Sequence, residues 1–176
     1  MKYYGNGKVL IRDLERDDID IFVAEENKQE GWESTPEKLQ NRLTDVSEGK
    51  AITLCAEYNG QPAGYVSVYH DSTWGAFGGM GYPEIVDFAV LEKFRRRGIG
   101  SMLMDTAEEI AKRYSDTVYL GVGLHSGYGS AQRMYVKRGY IPDGSGVWFN
   151  DKVCEPHAEC VNNDDLVLYF SKNLRK

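Results

Sequence analysis

Two apolar runs on either side of an amphipathic helix constrain this chain more than anything else in it. Ile85-Val86-Asp87-Phe88-Ala89-Val90 is mostly apolar, and Val118-Tyr119-Leu120-Gly121-Val122-Gly123-Leu124 is nearly continuous, as expected of an interior strand. Between them Gly98 opens a helix whose Leu103, Ala107, Ile110, Ala111 and Tyr114 recur at i, i+4, i+7, i+8 and i+11. Lys112 and Arg113 stand where the helix dipole favours cations. Strand, helix and strand in this order predict a right-handed βαβ unit with parallel strands.

The flanking segments read as antiparallel strands and further helices. Lys8-Val9-Leu10-Ile11-Arg12 is a short strand, followed by a helix that Asp17 can cap and that carries Ile19, Phe22 and Val23 on one face. A second helix has Thr35 as N-cap, Pro36 at its first position, Leu39, Leu43 and Val46 on one side and Gly49 at its end. Ile52, Leu54, Ala56 and Tyr58 alternate with Thr53, Cys55 and Glu57; Asn59-Gly60 then supplies a tight turn, and residues 63–69 return. Residues 70–82, rich in Gly and aromatic side chains, have no period and read as an irregular connection. Ser130 is expected to cap a short helix with Ala131, Met134 and Tyr135 on one side and Gly139 just past its end, and strands are expected at 146–149 and 166–170. The expected fold is α/β: a mixed, mostly antiparallel central sheet with one βαβ unit and flanking helices. No repeat or linker splits the chain, so residues 8–176 are expected to form a single domain.

Charge and cysteine usage narrow the function classes. Against 21 Lys+Arg stand 27 Asp+Glu, a net charge of −6, which disfavours a dedicated nucleic-acid binder and suits cationic small molecules. No apolar run approaches the ~18 residues of a membrane span. The first residues lack the apolar stretch of a secretory signal, so the expected compartment is the cytoplasm. Cys55, Cys154 and Cys160 do not form a disulfide framework. Cys154-Glu155-Pro156-His157-Ala158-Glu159-Cys160 lacks a second Cys or His pair to close a tetrahedral site, so no metal is expected.

The segment Arg95-Arg96-Arg97-Gly98-Ile99-Gly100-Ser101, between strand and helix, has the chemistry of a phosphate cradle. Its glycines let the backbone approach an anion, unpaired N–H groups at a helix start point toward it, and arginines add charge and bidentate donors. It is not a G-x-x-x-x-G-K-[ST] loop, and Leu103 stands where a dinucleotide fingerprint needs its third glycine.

Residues Val90 to Gly100, Val-Leu-Glu-Lys-Phe-Arg-Arg-Arg-Gly-Ile-Gly, resemble the pyrophosphate signature of the GNAT superfamily of acyl-CoA-dependent N-acyltransferases. Ala131-Gln132-Arg133-Met134-Tyr135-Val136-Lys137-Arg138-Gly139-Tyr140 resembles that family's later helix motif. The resemblance implies that backbone N–H groups from Arg95, Arg96, Arg97, Gly98, Ile99, Gly100 and Ser101 hold the pyrophosphate of acetyl-CoA. It implies that pantetheine enters a splay beside Ala89 and Val90, and that the Val90 N–H faces the thioester oxygen. It gives Tyr135 the role of general acid in a direct transfer to a primary amine of a small molecule or peptide. Glu84, fourteen residues before Gly98, matches the base glutamate of one branch of the family. Tyr128 stands where the family often has Asn, and His125 is a candidate for orienting substrate or relaying a proton. By position, residues 29–34 and 69–82 and Tyr128 would line the acceptor pocket, with Trp32, Trp74, Phe77 and Tyr82 available for cation–π contact. A homodimer is the assembly the resemblance suggests. The alternative reading is a non-catalytic acyl-CoA sensor, for which an acid over the thiol would have no use.

Overall fold

The computed structural model describes residues 1–175. The chain divides into two compact units, each drawn from two stretches: Met1–Tyr69 with Val86–Ile110, and His70–Ile85 with the chain from Ala111 onward.

The first unit holds β1 (Lys2–Gly5), β2 (Val9–Asp13), α1 (Arg16–Glu26), α2 (Glu37–Ser47), β3 (Ala51–Tyr58), β4 (Gln61–Tyr69), most of β5 (Glu84–Val90) and α3 (Ile99–Ala111). Its strands lie in the order β1-β2-β3-β4-β5, the first four antiparallel. Asn59 and Gly60, at φ 50° and 77°, make the turn that sets Tyr58 opposite Gln61. Adjacent residues of β4 face opposite ways: the Tyr65 ring meets Phe22 of α1 edge-on at 4.9 Å, while a Cβ on Gly64 would lie 3.2 Å from Leu103 of α3. Helices therefore cover both faces of this strand. That explains a departure from the alternation expected in β3, where Thr53 and Cys55 are as buried as Leu54 and Ala56. Thr53 stays satisfied inside by a 2.9 Å hydrogen bond with Ser67.

α1 starts two residues earlier than expected. Glu15 is its N-cap, and the Asp18 carboxylate accepts the Glu15 N–H at 2.8 Å while receiving both terminal nitrogens of Arg12; Asp17 lies in the first turn. In α2, Leu39 is the fully buried member of the expected apolar face.

The second unit holds the start of β5, then β6 (Thr117–Gly123), α4 (Gly129–Lys137), β7 (Ile141–Pro142), β8 (Trp148–Phe149), β9 (Lys152–Val153) and β10 (Leu166–Asn173). Glu84 pairs with Tyr119 of β6 in parallel, as the βαβ reading requires. Beyond β6 the order is β10-β8-β9, all antiparallel, with β7 also on β10. A 3-10 turn, Ser126–Tyr128, runs directly into α4, so the helix begins at Gly129 and Ser130 sits inside its first turn rather than capping it. Gly139 takes the left-handed conformation past the end of α4, φ 86°, as expected. Among the described residues no helix is long and apolar enough to cross a membrane.

Candidate active site

In the first unit, β5 ends at Val90 and passes through a 3-10 turn, Glu92–Phe94, to α3. Arg95 braces this bend: its N–H donates to the Glu92 carbonyl at 3.1 Å and its Nε to the Val90 carbonyl at 3.3 Å, so its own amide is already committed. Arg96 and Gly98 have left-handed backbone, φ 61° and 78°. The Gly98 carbonyl accepts the N–H of Met102, whereas the N–H groups of Arg96, Arg97, Gly98, Ile99, Gly100 and Ser101 donate to no carbonyl among the described residues. A Cβ on Gly100 would lie 3.0 Å from the Phe88 ring and 3.6 Å from Val90, so the helix start presses on the strand end. The Arg97 guanidinium lies over the Tyr58 ring, 4.9 Å from its centre. These features make a backbone cradle for an anion with an arginine rim.

Gln29, in the loop after α1, was indicated only as a pocket-lining position. Its Oε1 accepts the Glu92 N–H at 2.7 Å, and its Nε2 is buried without a hydrogen-bond partner among the described residues. No spacing rule could have singled it out, because the contact joins residues 63 positions apart. The same loop is closed on itself by two Asn27–Ser34 bonds of 2.9 and 2.8 Å. Within β5, Asp87 is left-handed at φ 54° and paired with Arg42 of α2 at 2.5 Å; Arg42 also donates to the Tyr69 hydroxyl. Burial, with the bond to Asp45, pushes the Tyr69 phenol up to about 12.

In the second unit, Glu84 is buried at the parallel pair. Ser72 donates to its Oε2 at 2.5 Å and the Tyr119 hydroxyl lies 3.4 Å from the same oxygen while donating to the Trp74 carbonyl at 2.8 Å. Burial and the Glu84 charge raise the Tyr119 phenol well above its ordinary range. The connection at 70–82 is thus anchored to the carboxylate, and its Phe77 ring packs on Tyr119 at 5.1 Å.

Tyr135 is the buried residue of α4, edge-on to Tyr140 at 5.7 Å. Burial raises its phenol, with a smaller push from Tyr128, so it stays protonated. Tyr128 rests on β6, where a Cβ on Gly123 would fall 2.4 Å from its ring. Its hydroxyl donates to Asp164 at 2.8 Å. His125 takes the Gly127 N–H on Nδ1, which leaves the proton on Nε2, 2.9 Å from the same Asp164 oxygen. This places His125 in a surface network with Asp164 and Tyr128. Among the described residues no group of three or more His, Cys, Asp or Glu is arranged to hold a metal, and Cys154 and Cys160 are free.

Residues 11–140 match the profile of the acetyltransferase (GNAT) family. The chain belongs to that family. A relative named as an uncharacterised N-acetyltransferase, from Chlorobaculum tepidum, is 26% identical over 134 residues, covering 74% of this chain and 79% of its own. The fold is also that of solved acetyltransferases. Ard1 from Thermoplasma volcanium superposes with a TM-score of 0.70 at 19% identity, covering 96% of this chain and 99% of that one. The Salmonella typhimurium enzyme that modifies the N-terminal serine of ribosomal protein L7/L12 gives 0.69 at 13% identity, covering 96% of each. YncA of Salmonella typhimurium, solved with acetyl-CoA, gives 0.66 at 16% identity over 97% of this chain and 96% of that one. As a GNAT protein the chain is an acetyltransferase, and its sheet is mixed and mostly antiparallel.

Proposed function

We propose that this GNAT protein transfers acetyl from acetyl-CoA to a primary amine of a small molecule or peptide by direct attack, within one domain spanning residues 8–176. The observation that carries the reading is the set of N–H groups from Arg96 to Ser101 that no carbonyl among the described residues satisfies, rimmed by arginines. Those groups fit a pyrophosphate. Bound there, acetyl-CoA supplies an activated thioester carbonyl. The Ala89–Val90 peptide is held by Gly64 beneath it and by Arg95 on the next carbonyl, which favours Val90 N–H as a fixed donor to the thioester oxygen. In this assignment Ala89, Val90, Arg96, Arg97, Gly98, Ile99, Gly100 and Ser101 bind the co-substrate, and Arg95 contributes its side chain.

The amine must lose a proton before it attacks. A lysine-like amine at about 10.4 carries at pH 7 a deprotonation cost of roughly 4.6 kcal/mol. Glu84 accepts that proton, directly or through water, and Ser72 fixes the carboxylate's orientation. The nitrogen lone pair forms the new C–N bond, the C–S bond breaks, the sulfur receives the phenolic proton of Tyr135, and the second proton leaving the nitrogen restores that phenol, directly or through water. A buried phenol that stays protonated suits a donor and not a base at neutral pH. The homodimer and a cytoplasmic location belong to the same reading.

Thiol release from acetyl-CoA across a panel of amines, peptides and aminoglycosides tests it. Acceptor-dependent release is expected, with Tyr135→Phe lowering kcat while the KM for acetyl-CoA holds, and Glu84→Gln displacing the acidic limb of the pH–rate profile. Acetyl-CoA binding without release above the blank for any acceptor would favour the sensor reading, and an unshifted profile in Glu84→Gln would remove the base.

A further inference from the structure

One residue of β5 has a backbone that strands do not ordinarily hold. Asp87 lies in the middle of Glu84–Val90 with φ 54°, a left-handed conformation that glycine takes freely and a residue with a Cβ resists. Such a residue bends a strand and re-aims the peptides after it. The next three residues are Phe88, Ala89 and Val90. Their far end is fixed, because the Leu91 N–H donates to the Ala63 carbonyl of β4 at 2.9 Å. The short span that carries the Val90 N–H therefore runs between an anchored end at Leu91 and a strained one at Asp87.

Asp87 is held from α2. The Arg42 Nε donates to its Oδ2 at 2.5 Å, joining positions 45 residues apart. The other edge of the guanidinium is also committed: Nη1 donates to the Tyr69 hydroxyl at 2.7 Å, the group stands 5.3 Å from the Tyr69 ring centre, and Asp45 lies 3.7 Å from Nη1. The Tyr69 hydroxyl in turn donates to Asp45. Side-chain exposures of 27% for Arg42 and 19% for Asp87 leave this pair partly withdrawn from water, where it is screened less than a surface pair. Because the guanidinium is planar and its donors are set in a rigid fork, fixing one edge on Tyr69 and Asp45 fixes the direction of the other.

Resting on the assignment of the Val90 N–H to the thioester oxygen, we propose that Arg42 is a positioning residue for the transfer. By holding Asp87 left-handed it keeps the bend from which residues 88–90 reach Leu91, and so fixes where the Val90 N–H points. Arg42 acts through Asp87 and the main chain, touching no reacting atom. An aspartate released from the pair relaxes toward extended backbone, which turns the peptides that follow. The N–H groups of the cradle lie beyond the Leu91 anchor, so the hold on co-substrate does not depend on this pair. Glycine at 87 would supply the same bend with no arginine.

The test crosses Arg42→Met with Asp87→Gly and reads steady-state acetyl transfer to the best acceptor of the wild type. Methionine keeps the length and helix preference of Arg42 without its donors. Arg42→Met is expected to lower kcat by roughly tenfold or more while the KM for acetyl-CoA stays within about twofold. In the Asp87→Gly background the same exchange is expected to cost less than about threefold, because glycine no longer needs the pair. Wild-type kcat in Arg42→Met, a rise in KM alone, or an equal loss of kcat in both backgrounds overturns the inference while leaving the acetyltransferase reading in place. If the wild type acetylates no acceptor, the Val90 amide cross-peak in nitrogen–proton NMR decides separately. A peak that moves in Arg42→Met, and stays put when Arg42→Met is added to Asp87→Gly, supports the hold on β5 even where the reaction assigned to it fails. A peak unmoved in Arg42→Met, or moved as far in both backgrounds, removes it.

Discussion

Replacing Gly64 by Ala presses on the peptide assigned to the reaction. A Cβ at position 64 would lie 2.6 Å from the Ala89 carbonyl oxygen and 3.2 Å from both Leu103 and Val90. Reaching an ordinary contact near 3.4 Å requires about 0.8 Å of displacement. The Ala89 C=O and the Val90 N–H belong to one planar peptide, so the displacement is passed rigidly to the proposed oxyanion donor. Overpacking of this kind costs about 1–3 kcal/mol, and for a chain of this size each kcal/mol is worth about 2–4 °C in Tm. Catalytic groups tolerate roughly 0.5 Å of misplacement, and about 1 Å costs on the order of a hundredfold in rate. Gly64→Ala is therefore expected to lower Tm by about 2–12 °C and kcat by about 10- to 100-fold, read by thermal denaturation and by acetyl transfer at saturating substrates. Gly129→Ala is the control: nothing lies within 4 Å of its Cβ position, and it opens α4, where Ala is the better helix former. A Gly64→Ala protein with the stability and kcat of that control would refute the assignment of Val90 as donor and the packing argument with it.

Two further outcomes follow from burial and charge. Cys55 is fully buried and burial drives its thiol far above the ordinary range, so a colorimetric thiol reagent should count two reactive thiols, Cys154 and Cys160, in the native protein and a third only after denaturation; three fast thiols would contradict the packing of β3. His125 and then Tyr128 hold Asp164 below its ordinary 3.8. Its small stabilisation is present above that value and lost as pH falls through the lower folded value. Carboxyl NMR should show Asp164 titrating low and moving up in His125→Ala, and a wild-type value at or above 3.8 would dissolve the network.

What could be read from the sequence follows the range of the interactions involved. The hairpin at Asn59-Gly60, the apolar strands β5 and β6, and the glycine past α4 each rest on neighbours a few residues apart, so local pattern sufficed. Helix starts were harder, because Glu15 and Asp18 cap α1 jointly with Arg12, and because the 3-10 turn before α4 displaces the start that Ser130 suggests. β1, β7 and β9 escaped because they lie outside the expected domain start or are two residues long, too short for a period of two to show. The arginine-glycine segment drew attention through composition alone, and the structure leaves the N–H groups from Arg96 to Ser101 without a carbonyl partner among the described residues. Its support by Gln29 and Gly64, and the company that Glu84 keeps with Ser72, Tyr119 and Tyr169, arise from contacts between distant positions that leave no trace in spacing.

The left-handed backbone at Arg96 and Gly98 has a consequence for how such a chain tolerates change. The run from Arg96 to Ser101 leads straight into α3, and its N–H groups meet no carbonyl among the described residues, so what it offers lies in the main chain rather than in side chains. Exchanges there leave those donors in place as long as the φ angles of 61° and 78° survive, which makes conformation, rather than side-chain identity, the quantity under constraint.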